Sequence, residues 1–542
     1  MPATRRGAPH VNRLTSFDGR RHTVLALAAC LMVLLPTLNY RLGVDQGAFA
    51  YMSAALLRGD WPYVRTWEND FPGMVFLQAA QMLVLGKSVV AFRAFDLLVQ
   101  LTSAYLILRI ARQTSGWIAA TVAPILFCLI YQGYGPWNTA QREGFGLLFI
   151  LAGFWLTFSA QRRPALVTAA LAGLGMGLAV TIKPTLLALS LFYLPLATRL
   201  RTRKAWGVAV VGGAAVLLPS AVLVAGYWAT GTLTQIYEAC IAYQAIYTAR
   251  LRGDAPLVAY WFGKARSLGL NAVVLPLAYA PFLALDSRHQ RERLMLWFGY
   301  LGATYAVFVQ GTFAGYHYLP GLAIGSVFVG EIMATCIAWA VTRWRAPRTV
   351  GGVPVEAVLV ALALIPMSLF YMRRAPIAEL ASLNFLRPPV PGEFRNQTVF
   401  DFTESYDTAR YLNANTLPGE PIQVWGYESL VYYLADRPAA SRFQMTHPLV
   451  MREPGGPLTE MQQRWRDEFV ADLLARSPAY VAVVSDDRWW WAPEEHSSEE
   501  LLDDFPEWKH IIETRYERDR AIGRFTIYRR RPGAGPAGGP PR

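Results

Sequence analysis

Residues able to do acid, base or ionic chemistry sit at a few points of this chain, mostly where an apolar run ends. Asp45 stands in Val44-Asp45-Gln46-Gly47, just beyond the first run. Glu68 and Asp70 lie in Trp67-Glu68-Asn69-Asp70-Phe71-Pro72-Gly73. Arg142 and Glu143 follow Asn138-Thr139-Ala140-Gln141, Lys183 precedes Pro184, and His317 and Tyr318 precede Leu319-Pro320. Carboxylates accept protons, Arg and Lys hold anions, and neutral His exchanges protons or binds metal. Ionisable groups beside a membrane are costly and mark functional sites. Together these residues suit an anionic, lipid-linked substrate. Asp45, Glu68, Asp70 and His317 also have the chemistry of a divalent-metal site, although no strict ligand spacing is present.

Positioning such a set on one face requires the apolar runs to be membrane spans. The 542-residue chain is 54% hydrophobic and only 16% charged, too apolar for soluble domains of that length. Candidate spans are Val24–Tyr40, Ser88–Ile110, Trp117–Tyr131, Phe145–Phe158, Leu166–Thr181, Thr185–Leu196, Gly207–Trp228, Leu268–Leu285, Leu294–Val309, Leu319–Val341 and Val353–Phe370, about eleven in all. Alternate connections are basic: Arg5, Arg6, Arg13, Arg20 and Arg21; Arg109 and Arg112; Arg162 and Arg163; Arg199, Arg201, Arg203 and Lys204; Arg288, Arg291 and Arg293; and Arg343, Arg345 and Arg348. This alternation predicts a multi-pass protein of the cell membrane with a cytoplasmic N-terminus, and it puts every chemical residue above outside. No small-residue cleavage site follows Tyr40, so the first run reads as a retained anchor.

The net charge of +13 falls in these basic connections, which argues against nucleic acid as a partner. Cys30, Cys128, Cys240 and Cys336 show no Cys-x-x-Cys spacing and read as packing residues. Residues 1–372 read as the membrane domain, with a long first outer loop over 41–87. Within that loop Phe71–Leu85 suits a helix at the membrane surface or packed beneath others. Ala229–Lys264 is a second outer segment, with Ile236, Tyr237, Tyr243 and Tyr247 at amphipathic spacing. Residues 373–531 read as a small extracytoplasmic α/β domain: helices over Tyr406–Asn415 and Phe469–Ala475, strands over Pro421–Trp425, Tyr480–Val484 and Arg524–Tyr528. Residues 532–542 read as a disordered Gly/Pro tail.

The order Asp45-Gln46-Gly47, Gly59-x-x-Pro62-Tyr63, Trp67-Glu68-x-x-x-Pro72-Gly73, Gly86-Lys87-Ser88 and Arg93-x-x-Asp96 resembles bacterial members of the dolichyl-phosphate-mannose–protein mannosyltransferase family. These are membrane glycosyltransferases of the C-type fold, as are lipid A aminoarabinose transferases. Lys183-Pro184, His317-Tyr318-Leu319-Pro320, Tyr411-Leu412-Asn413, Val424-Trp425-Gly426 and Tyr432-Tyr433-Leu434 extend the resemblance over most of the chain. It departs at one point: the family often carries Asp-Glu where this chain has Asp45-Gln46.

The resemblance implies an α-helical polytopic membrane protein of the C-type glycosyltransferase fold that transfers a sugar from a polyprenyl-phosphate donor to a hydroxyl of a protein, lipid or glycan, outside the membrane. Asp45 would be the catalytic base and Lys183 and Arg142 would hold the donor phosphate. Glu143, Glu68, Asp70, His317 and Tyr318 would line the donor or acceptor site. Single displacement would invert the anomeric centre. No nucleotide-binding glycine motif is present. The implied cofactor set is empty apart from a possible divalent metal. Simpler readings exist for several residues: Glu143 as a helix-terminal acid, Lys183 as a snorkelling lysine, His317 as an interfacial histidine, Arg93 and Asp96 as an ion pair, and Trp489–Trp491 as a membrane belt or sugar platform. A lipid-linked sugar transporter and a non-catalytic envelope assembly protein are the competing functions.

Overall fold

The computed structural model describes residues 19–159, 164–199, 201–253, 255–256, 258–260, 263, 275–285, 289–345, 402–488 and 495–534. The run Val353–Phe370, Trp489–Trp491 and most of the Gly/Pro tail lie outside them, as does the boundary at 372/373. Five stretches are long and apolar enough to cross a membrane: Gly19–Asn39, Val89–Ser115, Ala165–Ile182, Arg203–Ala229 and Gly315–Ala338. Shorter apolar helices run over Gly73–Leu85, Trp117–Gly133 and Pro184–Ala197. Of these, the 17-residue Trp117–Gly133 is at the lower end of the roughly 17–25 residues of a membrane span.

Val89–Ser115 is the central helix, packed against Trp117–Gly133 and Arg142–Phe158. Arg142–Phe158 continues the packing onto Ala165–Ile182, which lies along Arg203–Ala229. Arg203–Ala229 exposes Trp206, Val210, Leu217, Val222 and Trp228, the apolar surface a lipid-facing helix needs. Elsewhere in the bundle Arg293, near the start of Gln290–Gln310, pairs with Glu331 of Leu319–Arg345. Tyr279 donates to the second Glu331 oxygen at 2.5 Å, so the carboxylate is held at both oxygens.

The stretch expected as a long loop at 41–87 contains two helices, α1 (Val44–Leu57) and α2 (Gly73–Leu85). The α1 helix escaped notice because VDQGAFAYMSAALL has no polar face; nearly every residue is buried, from Val44 to Ala55. The α2 helix covers the Phe71–Leu85 stretch, where a helix at the membrane surface or packed beneath others was expected; it buries Gln78 and Gln81 and exposes Leu83 and Val84. The aromatic segment after Ala229 folds as Leu233–Tyr237, a π turn over Glu238–Ala242, and Tyr243–Arg252.

The C-terminal part is α/β. Strands β1 (Ile422–Trp425), β2 (Tyr480–Val484), β3 (Tyr516–Ile522) and β4 (Phe525–Arg530) form one sheet in the order β1-β2-β4-β3. The β1–β2 pair is parallel and is connected through the helix Glu460–Arg476; the other pairs are antiparallel. Strand β3 was not legible, because its YERDRAI sequence exposes most of its length. Strands β1 and β2 are buried on every residue.

This domain sits directly on α1 and the loop after it. Ala439 N donates to Tyr51 Oη at 2.8 Å, Arg442 Nη1 to Tyr63 O at 3.0 Å, and Lys87 pairs with Asp436. The closest approach is at Gly47, where an added Cβ would lie 2.5 Å from Leu430 Cβ and 2.6 Å from its Cα. Backbone cannot yield cheaply there. Gly47→Ala is therefore expected to cost about 1–3 kcal/mol and to loosen the docked domain. Thermal unfolding and limited proteolysis check this: the expected result is a lower melting temperature with faster cleavage around residue 402, and an unchanged protein would contradict the docking.

Candidate active site

The site is built on a short turn, Gly135–Asn138, whose carbonyls point inward and are met by two side chains. Gln46 Nε2 lies 3.1, 2.9 and 2.9 Å from the carbonyls of Pro136, Trp137 and Thr139, while its Oε1 accepts from Gly43 N at 2.9 Å. Arg93 donates through Nη2 to Pro136 O at 3.0 Å, through Nη1 to Thr139 Oγ1 at 3.0 Å, and through Nε to Tyr40 O at 3.1 Å. An amide or a guanidinium can do this; an ionised carboxylate cannot, because it only accepts. At the point of departure, Gln46 thus clamps the turn. Arg93 and Asp96 act on each other electrostatically without a direct salt-bridge contact. Asp96 accepts instead from Tyr131 Oη at 2.6 Å and Gln100 Nε2 at 3.1 Å, and Tyr131 Oη accepts from Ala140 N at 2.7 Å. Each residue serves the turn from a different side.

Beyond the turn, Gln141 stands at the N-cap position of the helix Arg142–Phe158, whose first turn carries Arg142 and Glu143. Gln141 Nε2 donates to Asp45 Oδ2 at 3.3 Å and to Trp137 O at 2.9 Å. Asp45 lies in the first turn of α1, where the helix dipole favours an anion. Its other oxygen accepts from Tyr427 Oη of the C-terminal domain at 3.2 Å. Burial raises the Asp45 pKa; Arg142, the Tyr427 and Gln141 hydrogen bonds and Lys183 oppose that rise.

Two cations lie beside Asp45, and each has a carboxylate partner. Arg142 pairs with Asp70, and Lys183 pairs with Glu143. Lys183 is buried against Glu143 and so does not snorkel; Glu143 is fully buried and acts as an ion-pair partner rather than only a terminal acid. His317 Nε2 stands 3.6 Å from Glu143 Oε1, with Thr312 Oγ1 at 3.3 Å from its Nδ1. Glu68 is 4% exposed, and its Oε1 accepts from Asn69 N at 3.0 Å. Burial, together with the charge of Asp45, pushes its pKa up to about 7 against the pull of Arg142 and that hydrogen bond.

Asp45, Glu68, Asp70, Arg142, Glu143, Lys183 and His317 therefore come together as the sequence suggested. Tyr318 is half-buried beside them, whereas its neighbour Tyr316 is buried, with Lys183 Nζ 5.7 Å from its ring centre. Sequence reasoning missed Gln141, Tyr316 and Tyr427. Gln141 and Tyr316 lay inside motifs already singled out, and Tyr427 directly follows Val424-Trp425-Gly426. Among the described residues no three His, Cys, Asp or Glu side chains gather as a metal site requires, and Asp70 and Glu143 face cations instead. The described cysteines are free thiols, in keeping with packing roles.

Neither a protein-family model nor a curated protein sequence matches the chain. Solved structures do. ArnT from Cupriavidus metallidurans bound to undecaprenyl phosphate matches with a TM-score of 0.56 at 14% identity, covering 97% of this chain and 100% of that one. The apo state of ArnT matches with a TM-score of 0.56 at 16% identity, over 93% and 97%. The archaeal oligosaccharyltransferase AglB from Archaeoglobus fulgidus, in complex with an inhibitory peptide and a dolichol-phosphate, gives 0.49 at 12% identity over 86% and 70%. Over nearly its whole length the chain has the C-type glycosyltransferase fold, that of a multi-pass α-helical membrane protein with a C-terminal α/β part.

The Glu68 environment sets a pH dependence. Its folded pKa of about 7 lies above the ordinary 4.5, so the native state binds this proton more tightly than the unfolded chain. Burying the ionised form costs stability above the folded pKa, and that cost fades as pH falls toward 4.5. Glu68→Gln removes the charge and keeps the acceptor oxygen. The variant should melt higher than wild type near pH 8, with the gap closing near pH 5. A gap equal at both pH values would contradict the assignment.

Proposed function

We propose that this protein transfers a sugar from a polyprenyl-phosphate-linked donor to an acceptor hydroxyl at the outer face of the cell membrane, with inversion at the anomeric carbon. The observation carrying this reading is a carboxylate, Asp45, pinned between two hydrogen-bond donors and beside two buried cations at one end of the bundle. The fold likeness to a protein solved with undecaprenyl phosphate supports the donor class. The basic connections support a cytoplasmic N-terminus, which places this end outside.

The acceptor oxygen attacks the anomeric carbon as the bond from that carbon to the phosphate oxygen breaks. Asp45 takes the acceptor proton, and the released polyprenyl phosphate keeps the bonding electron pair. Arg142 and Lys183 hold the growing charge, Arg142 with a planar fork suited to phosphate oxygens. In the resting site both cations are already neutralised by Asp70 and Glu143. The phosphate must therefore compete with a carboxylate for each cation. The acceptor hydroxyl is that of a protein, lipid or glycan, and the donor sugar a hexose or pentose.

A transporter would need ionisable groups along a path through the bundle. Among the described residues, the buried group Arg293–Glu331–Tyr279 closes on itself instead. A purely structural assembly role leaves the pinned Asp45 without a purpose.

Asp45→Asn should express and melt normally yet lose transfer by about a hundredfold to ten-thousandfold, read as transfer from lipid-linked sugar by the purified protein in vesicles. Arg142→Ala and Lys183→Ala should raise the donor concentration required. Full activity in Asp45→Asn, or direct use of a nucleotide sugar, would overturn the reading. Asp70→Asn shows the competition with opposite sign: freeing Arg142 should tighten undecaprenyl phosphate binding by roughly fivefold, the equivalent of ~1 kcal/mol. Weaker binding would instead make Asp70 part of the phosphate site.

A further inference from the structure

We infer that Tyr427, carried by the C-terminal α/β domain, is a positioning residue for Asp45, so that the docked domain completes the active site rather than merely covering it. This rests on Asp45 being the base proposed above.

The path from the sheet to the site is tightly built. Strand β1 ends at Trp425, and the next residue, Gly426, crosses so close to β2 that an added Cβ would lie 2.2 Å from Val484 Cγ2 and 2.8 Å from its Cβ. Thr446 N donates to Gly426 O at 3.2 Å. On the far side of Tyr427, Glu428 accepts from Ser405 Oγ at 2.9 Å and pairs with Arg524. Tyr427 is thus fixed before and behind. Its ring centre lies 5.4 Å from that of His447, whose Nδ1 is 2.9 Å from Tyr243 Oη of the outer segment. Burial keeps His447 neutral, pushing its pKa down to about 3.

The domain holds the second raised carboxylate as well. Gln444 accepts from Trp67 N at 2.9 Å and donates to Trp67 O at 2.5 Å, gripping the residue immediately before Glu68. One side of Asp45 is set by the membrane bundle through Gln141, the other by the C-terminal domain through Tyr427. A carboxylate held at both oxygens cannot rotate away from an acceptor hydroxyl, which is the geometric demand on a general base.

The consequence is measurable without knowing the sugar. Hydrogen bonds to the ionised carboxylate favour that form, so losing the Tyr427 hydroxyl should raise the Asp45 pKa. Groups facing Asp45 that also bear on its titration are Arg142, Lys183, Glu68, Gln141, Tyr247 and Tyr316. The full chain in lipid nanodiscs would be titrated by infrared spectroscopy, with the Asp45 carboxyl band identified as the one lost in Asp45→Asn. Tyr427→Phe should move that band's midpoint up by about one pH unit. It should slow transfer by about tenfold while leaving undecaprenyl phosphate binding unchanged. If Tyr427→Phe unfolds, 3-fluorotyrosine incorporated at Tyr427 keeps the shape and makes the hydroxyl a stronger donor; the midpoint should then move down. An Asp45 midpoint unmoved in either folded protein would overturn the inference. Full transfer by Asp45→Asn would instead remove the base assignment on which it rests, so the two failures are distinguishable.

Discussion

Taking an ionised side chain out of water costs several kcal/mol unless partners replace its hydration. At the end of the bundle that carries the site, Arg142, Glu143 and Lys183 are all buried, Asp45 and Asp70 are partly so, and almost every feature of the site follows from pairing them. Arg142 takes Asp70, Lys183 takes Glu143, and Asp45 takes two neutral donors. Asp45 and Glu68 remain without a cation of their own, and burial shifts both upward. Under the proposed function, such a site would hold a carboxylate to accept a proton beside cations for an incoming anion.

The pairing depends on a scaffold that carries no catalytic group. Gln46 and Arg93 spend their donors on the carbonyls of the turn before Gln141, and that turn aims Gln141, Arg142 and Glu143. The α1 helix serves three surfaces at once: Asp45 faces the cations, Gln46 the turn and Gly47 the C-terminal domain. The arrangement explains why Asp-Gln is workable here, since the second position needs a donor where it meets carbonyls.

Much of this architecture was legible beforehand, because burial in lipid leaves a strong mark on sequence. Apolar runs, basic connections and the ionisable residues at their ends gave the membrane class and the membership of the ionic cluster. Strand Tyr480–Val484 was legible to the residue, being buried throughout. Illegible features had weaker or tertiary causes. Helix α1 lacks a polar stripe, and β3 lacks an apolar one. Which acid pairs with which base is not encoded in local spacing: Arg142 reaches back to Asp70, and Lys183 reaches Glu143 rather than the membrane surface. Tyr427 lies hundreds of residues from Asp45, and only the docked domain brings them within 3.2 Å.

The most direct test of the account is an experimental structure of the full chain in lipid with undecaprenyl phosphate bound. The expected result is the phosphate on Arg142 and Lys183, with the Asp70 and Glu143 carboxylates displaced from them and Asp45 still held by Gln141 and Tyr427. A phosphate bound elsewhere, with both ion pairs intact, would contradict it.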